Sequence, residues 1–341
     1  MAAPLVQGLQ TSSGSRASDS PARERGALGF GFIDPLALMR IKNLQLRARV
    51  VVEGFDKGIH RSPYHGFSSE FSEYRQYTPG DDTRYLDWRL YGRSDRYFIK
   101  KFEDETNLRC QLLVDGSKSM GYGSGGVSKW DYARTAAATV AYFLSRQRDA
   151  IGLVNYDDKV VDYIPPRGRP GHLALIMAAL QREPKGAASD PVVPLRELVG
   201  LTARRNFFLI FSDLLVPADA VKTAIGHLRA GGHEVLVMRI LDPKEVDFSF
   251  SESTRFRDLE TGREYFVDPA QAASLYRSRF QAHAQQLRQA CIGVGADFEQ
   301  VTTDRPLELV LFDILRLRMS RGKTAARSAP VSAAFGKGGA R

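Results

Sequence analysis

Cysteine, tryptophan and histidine are scarce in this chain of 341 residues, which has two, two and six of them. Cys110 and Cys291 are far apart, each within a predicted regular element, and neither has a second Cys or a His at metal-ligand spacing. That excludes a zinc site and favours two buried thiols in a reducing compartment over a disulfide. His60, His65, His172 and His283 likewise show no ligand spacing. No apolar run approaches the ~20 residues of a membrane helix; the longest candidate, Thr139 to Leu144, lies inside a mixed helix. The first residues lack a basic start followed by an apolar stretch and a small-residue cleavage site, so the expected compartment is the cytoplasm.

Enzyme signatures are missing too. Gly121-Tyr122-Gly123-Ser124-Gly125-Gly126 is Gly-rich but lacks the Gly-Lys-Ser/Thr ending of a phosphate-binding loop. His233-Glu234 has no second His at the zincin spacing, and there is no Gly-x-Ser-x-Gly elbow. No catalytic motif is found, and the chain does not read as a self-contained enzyme.

The chain does have a net charge of +9, which suggests nucleic acid until it is located. Arg316, Arg318, Arg321, Lys323, Arg327, Lys337 and Arg341 carry seven of those nine charges with no acid among them, so the body is almost neutral. Past Met319 the sequence is rich in Ala, Gly and Ser and is expected to be a disordered basic tail over 321–341. Such a tail reads as a solubilising end; weak contact with nucleic acid or an anionic membrane surface is the alternative.

Residues 1–33 lack periodicity and are expected to be a disordered arm. Asp34-Pro35 is an N-cap followed by proline at the first helical position, and Leu36, Met39, Leu44 and Val51 predict one helix ending near Gly54. From Gly58 to Arg109 the chain is aromatic and Gly-punctuated, which predicts a small β-rich or irregular subdomain, so that 34–106 forms an N-terminal part. Over 107–320, strands are predicted at Cys110–Val114, Ala150–Tyr156, Val160–Ile164, Phe207–Phe211, Glu234–Ile240 and Asp297–Val301. Helices are predicted at 129–147, 172–181, 217–230, 269–290 and 306–319. Alternation of this kind argues for an α/β fold, a doubly wound and mostly parallel sheet covered on both faces.

In such sheets ligands bind beyond the carboxyl ends of the strands. Two carboxylates fall there. The first strand of this domain ends in Asp115-Gly116-Ser117-Lys118-Ser119, and the fourth in Ser212-Asp213. Asp115, Ser117, Ser119 and Asp213 together offer a hard cation the oxygen ligands it requires. Neutral hydroxyls would leave that ion short of negative charge, so a carboxylate from a partner could complete its shell. The alternative is that Asp115 merely caps a helix.

Asp115-x-Ser117-x-Ser119 with Asp213 resembles the metal-ion-dependent adhesion site (MIDAS) of von Willebrand factor A domains, over roughly residues 107–305. Upstream, Gly66 to Phe71, then Arg75-Gln76-Tyr77-Thr78-Pro79-Gly80-Asp81-Asp82, then Asp87-Trp88-Arg89, resemble the bacterial domain-of-unknown-function family fifty-eight. That resemblance implies a von Willebrand factor A-like, Rossmann-like fold and a bound Mg²⁺ or Mn²⁺ ion. It also implies a non-catalytic adaptor or chaperone-like role beside a MoxR-type AAA ATPase. The adhesion site normally takes a Thr from a third loop. Here the corresponding region reads Pro165 to His172, and there is no threonine between Thr139 and Thr202.

Arg167 or Arg169 is therefore expected to approach the site, or to bind an acidic protein partner, or simply to be solvated. Arg75, Asp81, Asp82, Asp87 and Arg89 read as a polar network holding an irregular subdomain, or as a docking surface. The function expected is a metal-dependent interaction module. The rivals are a Mg²⁺-dependent phosphoester hydrolase, for which only His172 is available as a base, and a weak nucleic-acid binder acting through the basic tail.

Overall fold

The continuous apolar runs Leu112–Val114, Phe207–Phe211 and Val235–Val237 leave no polar face, so strands made of them must be covered on both sides. A computed structural model describes residues 32–59, 74–76, 98–100, 108–184, 190–202, 204–250, 254–257, 259 and 262–328. Its contacts divide the chain into two compact units, one of residues 1–55 with 109–341 and one of residues 56–108.

In the smaller unit β1 (Tyr74–Gln76) pairs antiparallel with β2 (Phe98–Lys100). Asp81, Asp82, Asp87 and Arg89 lie outside the described residues, and Arg75 is described only as a backbone position of β1 opposite Ile99.

The larger unit is the α/β domain. Its strands are β3 (Arg109–Asp115), β4 (Ala150–Tyr156), β5 (Val160–Arg167), β6 (Phe207–Ser212), β7 (Glu234–Leu241) and β10 (Asp297–Thr302). They lie in the order β10-β7-β6-β3-β4-β5, with every pairing parallel except β4 to β5. The chain begins in the middle of the sheet, works to one edge, then returns to build the other, which is doubly wound topology with its switch point between β3 and β6.

The connecting helices in chain order are α3 (Lys129–Arg146), α4 (His172–Leu180), α5 (Val192–Leu201), α6 (Ala218–Ala230), α7 (Pro243–Asp247), α8 (Pro269–Gly293) and α9 (Leu307–Ser328). Leu113, Phe208, Ile210, Val235 and Val237 pack in one core with Leu195 and Leu198 of α5, Val221 and Ile225 of α6 and Leu287 of α8. The small residues Ala133, Ala136, Ala137 and Ala141 of α3 are all buried, which lets this helix sit close to the sheet.

Several expectations needed correction. The predicted single helix over 34–54 is two, α1 (Pro35–Met39) and α2 (Leu44–Ile59). Asn43 Oδ1 accepts from Leu46 N at 2.9 Å and starts the second helix, while Arg47 donates to Met39 O at 3.0 Å and satisfies a carbonyl freed by the break. Both helices precede Asp56 and belong, up to Phe55, with the α/β unit. There Phe55 meets Phe143 of α3 edge-on at 5.8 Å.

Helix α9 continues to Ser328 instead of stopping near Met319. A hairpin, β8 (Thr254–Arg257) and β9 (Glu264–Val267), occupies what reads in sequence as an irregular stretch. Cys110 and Cys291 are buried free thiols, each pushed up to about 12 by burial. No helix among the described residues is long and apolar enough to cross a membrane.

Candidate functional site

Three neighbouring strands end in aspartates: β3 in Asp115, β6 just before Asp213, and β7 just before Asp242. All three carboxylates are fully buried. At the first, Gly116 N donates to Tyr156 O at 2.7 Å, and Asp115 Oδ1 accepts from Ser117 N at 2.9 Å. The chain therefore turns tightly at the strand end and leads into a one-turn 3₁₀ helix, Lys118–Gly121. That turn brings Ser117 Oγ and Ser119 Oγ to 3.0 Å from one another. The run Asp115-x-Ser117-x-Ser119 thus puts one carboxylate and two hydroxyls on a single buried loop.

At the second strand end Ser212 Oγ donates to Asp115 Oδ2 at 2.6 Å and accepts from Leu214 N at 3.0 Å. Asp213 lies beside Asp115. Burial first, and then the Asp213 charge, push the Asp115 carboxyl up to about 6, against the hydrogen bonds from Ser212 and Ser117 that favour its ionised form. Asp213 Oδ2 is bound by Lys129 Nζ at 2.8 Å, and its backbone carbonyl accepts from Arg239 Nε at 3.0 Å.

Lys129 was not foreseen as part of the site. It is the first residue of α3, fixed by the Ser128 N-cap and by its own N–H to Tyr122 O at 2.8 Å, and its ammonium is entirely buried. A second partner, Glu245 Oε1, lies 2.7 Å from Nζ. Burial works against the charged lysine, but Asp213 and Glu245 outweigh it, and the pKa is raised above the ordinary lysine value.

Glu245 in turn closes a capping box with Asp242 at the start of α7: Glu245 Oε2 accepts from Asp242 N at 2.9 Å and Asp242 Oδ1 from Lys244 N at 2.8 Å. Asp242 also holds the loop after the 3₁₀ turn, accepting from Ser124 N at 2.7 Å and Ser124 Oγ at 2.5 Å. The motif Asp242-Pro243-x-Glu245 just past a core strand is the signal by which strand-end reasoning could have found this third arm. Nothing comparable marks Lys129, because a lysine at a helix start reads as solvated.

The connected network holds three buried carboxylates, Asp115, Asp213 and Asp242, and the partly exposed Glu245, against two buried cations, Lys129 and Arg239. Burial lowers the Arg239 guanidinium to about 10, so it stays charged at neutral pH. The formal excess is two negative charges in a water-poor place, the charge of one divalent ion. Among the described residues no three His, Cys, Asp or Glu side chains converge to hold a metal. An ion here would depend on the hydroxyls of Ser117 and Ser119 as well as on carboxylates, and the donor set of hard oxygens fits Mg²⁺ or Mn²⁺.

Arg167 and Arg169 do not approach this site. Because β5 runs antiparallel to β4, Arg167 pairs with Ile151 at the amino end of β4, whereas Asp115 pairs with Tyr156 at its carboxyl end. His172 is on that far side too, its Nε2 2.7 Å from Ile151 O. The segment that does approach the turn follows α4: Pro184 stands 3.2 Å from where a Cβ on Gly116 would lie.

A family model described as "Protein of unknown function DUF58" matches residues 73–290. Uncharacterized proteins of Mycobacterium bovis and of Mycobacterium tuberculosis are each 29% identical over 297 residues, covering 86% of this chain and 92% of theirs. Among solved structures, the conserved hypothetical protein BatB from Bacteroides thetaiotaomicron is 13% identical with a TM-score of 0.41, covering 63% of this chain and 99% of that one. The SpRpn10 VWA domain is 10% identical with a TM-score of 0.35, covering 60% and 93%.

Proposed function

This chain belongs to the DUF58 family of proteins of unknown function, and we propose that it is a metal-dependent protein-interaction module. In this reading Asp115, Ser117 and Ser119, with Asp213, hold a Mg²⁺ or Mn²⁺ ion. The observation that carries it is the excess of two negative charges, three of its four carboxylates fully buried, where three strands of the sheet end. An ion held by two hydroxyls and few carboxylates keeps a net positive field, and an acidic side chain of a partner protein is the natural group to complete its shell.

The sequence resemblance points to a MoxR-type AAA ATPase as that partner, with the present chain as adaptor. A von Willebrand factor A-like domain is the fold that resemblance implies, and the mostly parallel sheet with its strand-end acids is consistent with it. Two buried free thiols fit a reducing compartment, in keeping with the cytoplasm. A phosphoester hydrolase would need a base beside the ion, and His172 is engaged with Ile151 O at the other end of the sheet.

The test uses a purified MoxR-type ATPase from the same cells passed over immobilised wild-type protein and Asp115→Ala, each with Mg²⁺ or with EDTA. Retention by wild type with Mg²⁺ alone supports the reading. Equal retention in all four cases, or in none, returns Asp115 to the role of a structural turn residue.

A further inference from the structure

The ammonium of Lys129 is in contact with Asp213, one of the carboxylates that would hold the ion. It is fully buried, its helix position is fixed by the Ser128 cap, and it divides itself between Asp213 at 2.8 Å and Glu245 at 2.7 Å. With more carboxylates than cations in the network, one lysine serves two of them. Without Lys129, Asp213 and Glu245 would have only Arg239 as a buried cation nearby, and the metal-free fold would suffer for it. With it, a divalent ion drawing on Asp213 meets a positive charge already in contact with that carboxylate.

We propose that Lys129 is a built-in counter-ion that competes with the divalent metal for Asp213, and that loading the site hands the ammonium over to Glu245. This rests on the metal reading given above. Glu245 is suited to receive it. Its other oxygen is anchored on Asp242 N, and its backbone carbonyl accepts from Tyr276 Oη at 2.8 Å, so the acceptor stays in place while the lysine shifts. The handover also gives the ion an effect beyond its own ligands, because Glu245 belongs to α7 and Asp242 holds the Ser124 loop. Lys129 is thus a positioning residue for the site, acting through Asp213.

The test is Mn²⁺ titration by calorimetry of the full-length wild type and of the double variant Lys129→Met/Glu245→Gln. The pair of changes removes one positive and one negative charge, so the net charge of the site is conserved. Competition predicts binding at least about tenfold tighter in the double variant. Unchanged or weaker binding overturns the proposal while leaving the metal reading intact. If neither protein binds Mn²⁺, both fall; if only the variant binds, the lysine fills the ion's place in the wild type and the competition stands. Should the double variant not fold, Glu245→Gln alone deprives the ammonium of its second carboxylate. It is expected to bind Mn²⁺ about tenfold more weakly, and wild-type affinity there overturns the proposal.

Discussion

Ser212 donates to Asp115 at 2.6 Å and so ties together the carboxyl ends of the two strands that flank the switch point of the sheet. That bond favours the ionised carboxylate, yet burial and Asp213 prevail and leave Asp115 with a pKa of about 6. A carboxyl raised in the folded state is a liability once ionised: its cost is absent below the unfolded value near 3.8 and complete above about 6. In EDTA the stability of the wild type relative to Asp115→Asn should therefore fall as pH rises from 4 to 7, by about 3 kcal/mol at the top of the range. Urea denaturation at several pH values measures it, and parallel curves for the two proteins would contradict it. Adding Mn²⁺ should flatten the wild-type curve.

Arg167 and Arg169 give a control at the opposite end of the sheet. Both are exposed, and Arg167 pairs with Ile151, beyond reach of the aspartates. Arg167→Ala/Arg169→Ala is expected to leave Mn²⁺ affinity within about twofold of wild type. A loss of tenfold or more in the same calorimetric assay would show that the field of these arginines matters to the site after all.

The two arginines also mark where sequence reasoning stopped. Strand ends were legible because Leu112–Val114 and Phe207–Phe211 are apolar runs that stop abruptly at Asp115 and at Ser212-Asp213. The direction of β5 was not, since Val160–Arg167 reads the same in either orientation and carries Pro165-Pro166 just before its last residue, which suits an edge. Helix α5 went unpredicted because Pro194 suggests a loop, although proline is tolerated in a first turn. The charge partners within the site were hidden for a different reason. Lys129, Asp213 and Glu245 are 84 and 116 residues apart along the chain, counted from the lysine, and only the fold brings them together.

Glu308 illustrates the same separation at a second place. Near the start of α9 it is 5% exposed, Oε1 accepts from Ile33 N at 3.1 Å, and Oε2 has no hydrogen-bond partner among the described residues. Burial raises its pKa above the ordinary glutamate value. By the same sign argument, ionisation of Glu308 weakens the fold as pH rises through that raised value, and the cost is absent in acid. Glu308→Gln keeps the acceptor for Ile33 and removes the charge, so at pH 7.5 it should stabilise the protein. Calorimetric melting at pH 7.5 and 4.5 checks this: the gain should shrink at the lower pH, and a destabilised variant at both would refute it.

Gly152 is the position where the edge of the sheet is least forgiving. The β4–β5 register shifts between Ile151 and Leu153, and at that irregularity an added Cβ would lie 2.4 Å from Gln111 Oε1, 2.6 Å from Ile164 O and 2.8 Å from Pro166 N. Two of those three atoms are backbone and cannot yield without opening the pairing. Gly152→Ala should therefore cost about 3 kcal/mol, whereas Gly200→Ala on α5, with nothing within 4 Å of the new Cβ, should be neutral or mildly stabilising. The comparison separates a steric demand at Gly152 from any general dislike of alanine. Equal midpoints in urea for the two variants would mean that β5 gives way easily, and that the antiparallel edge is not what holds Arg167 away from the aspartates.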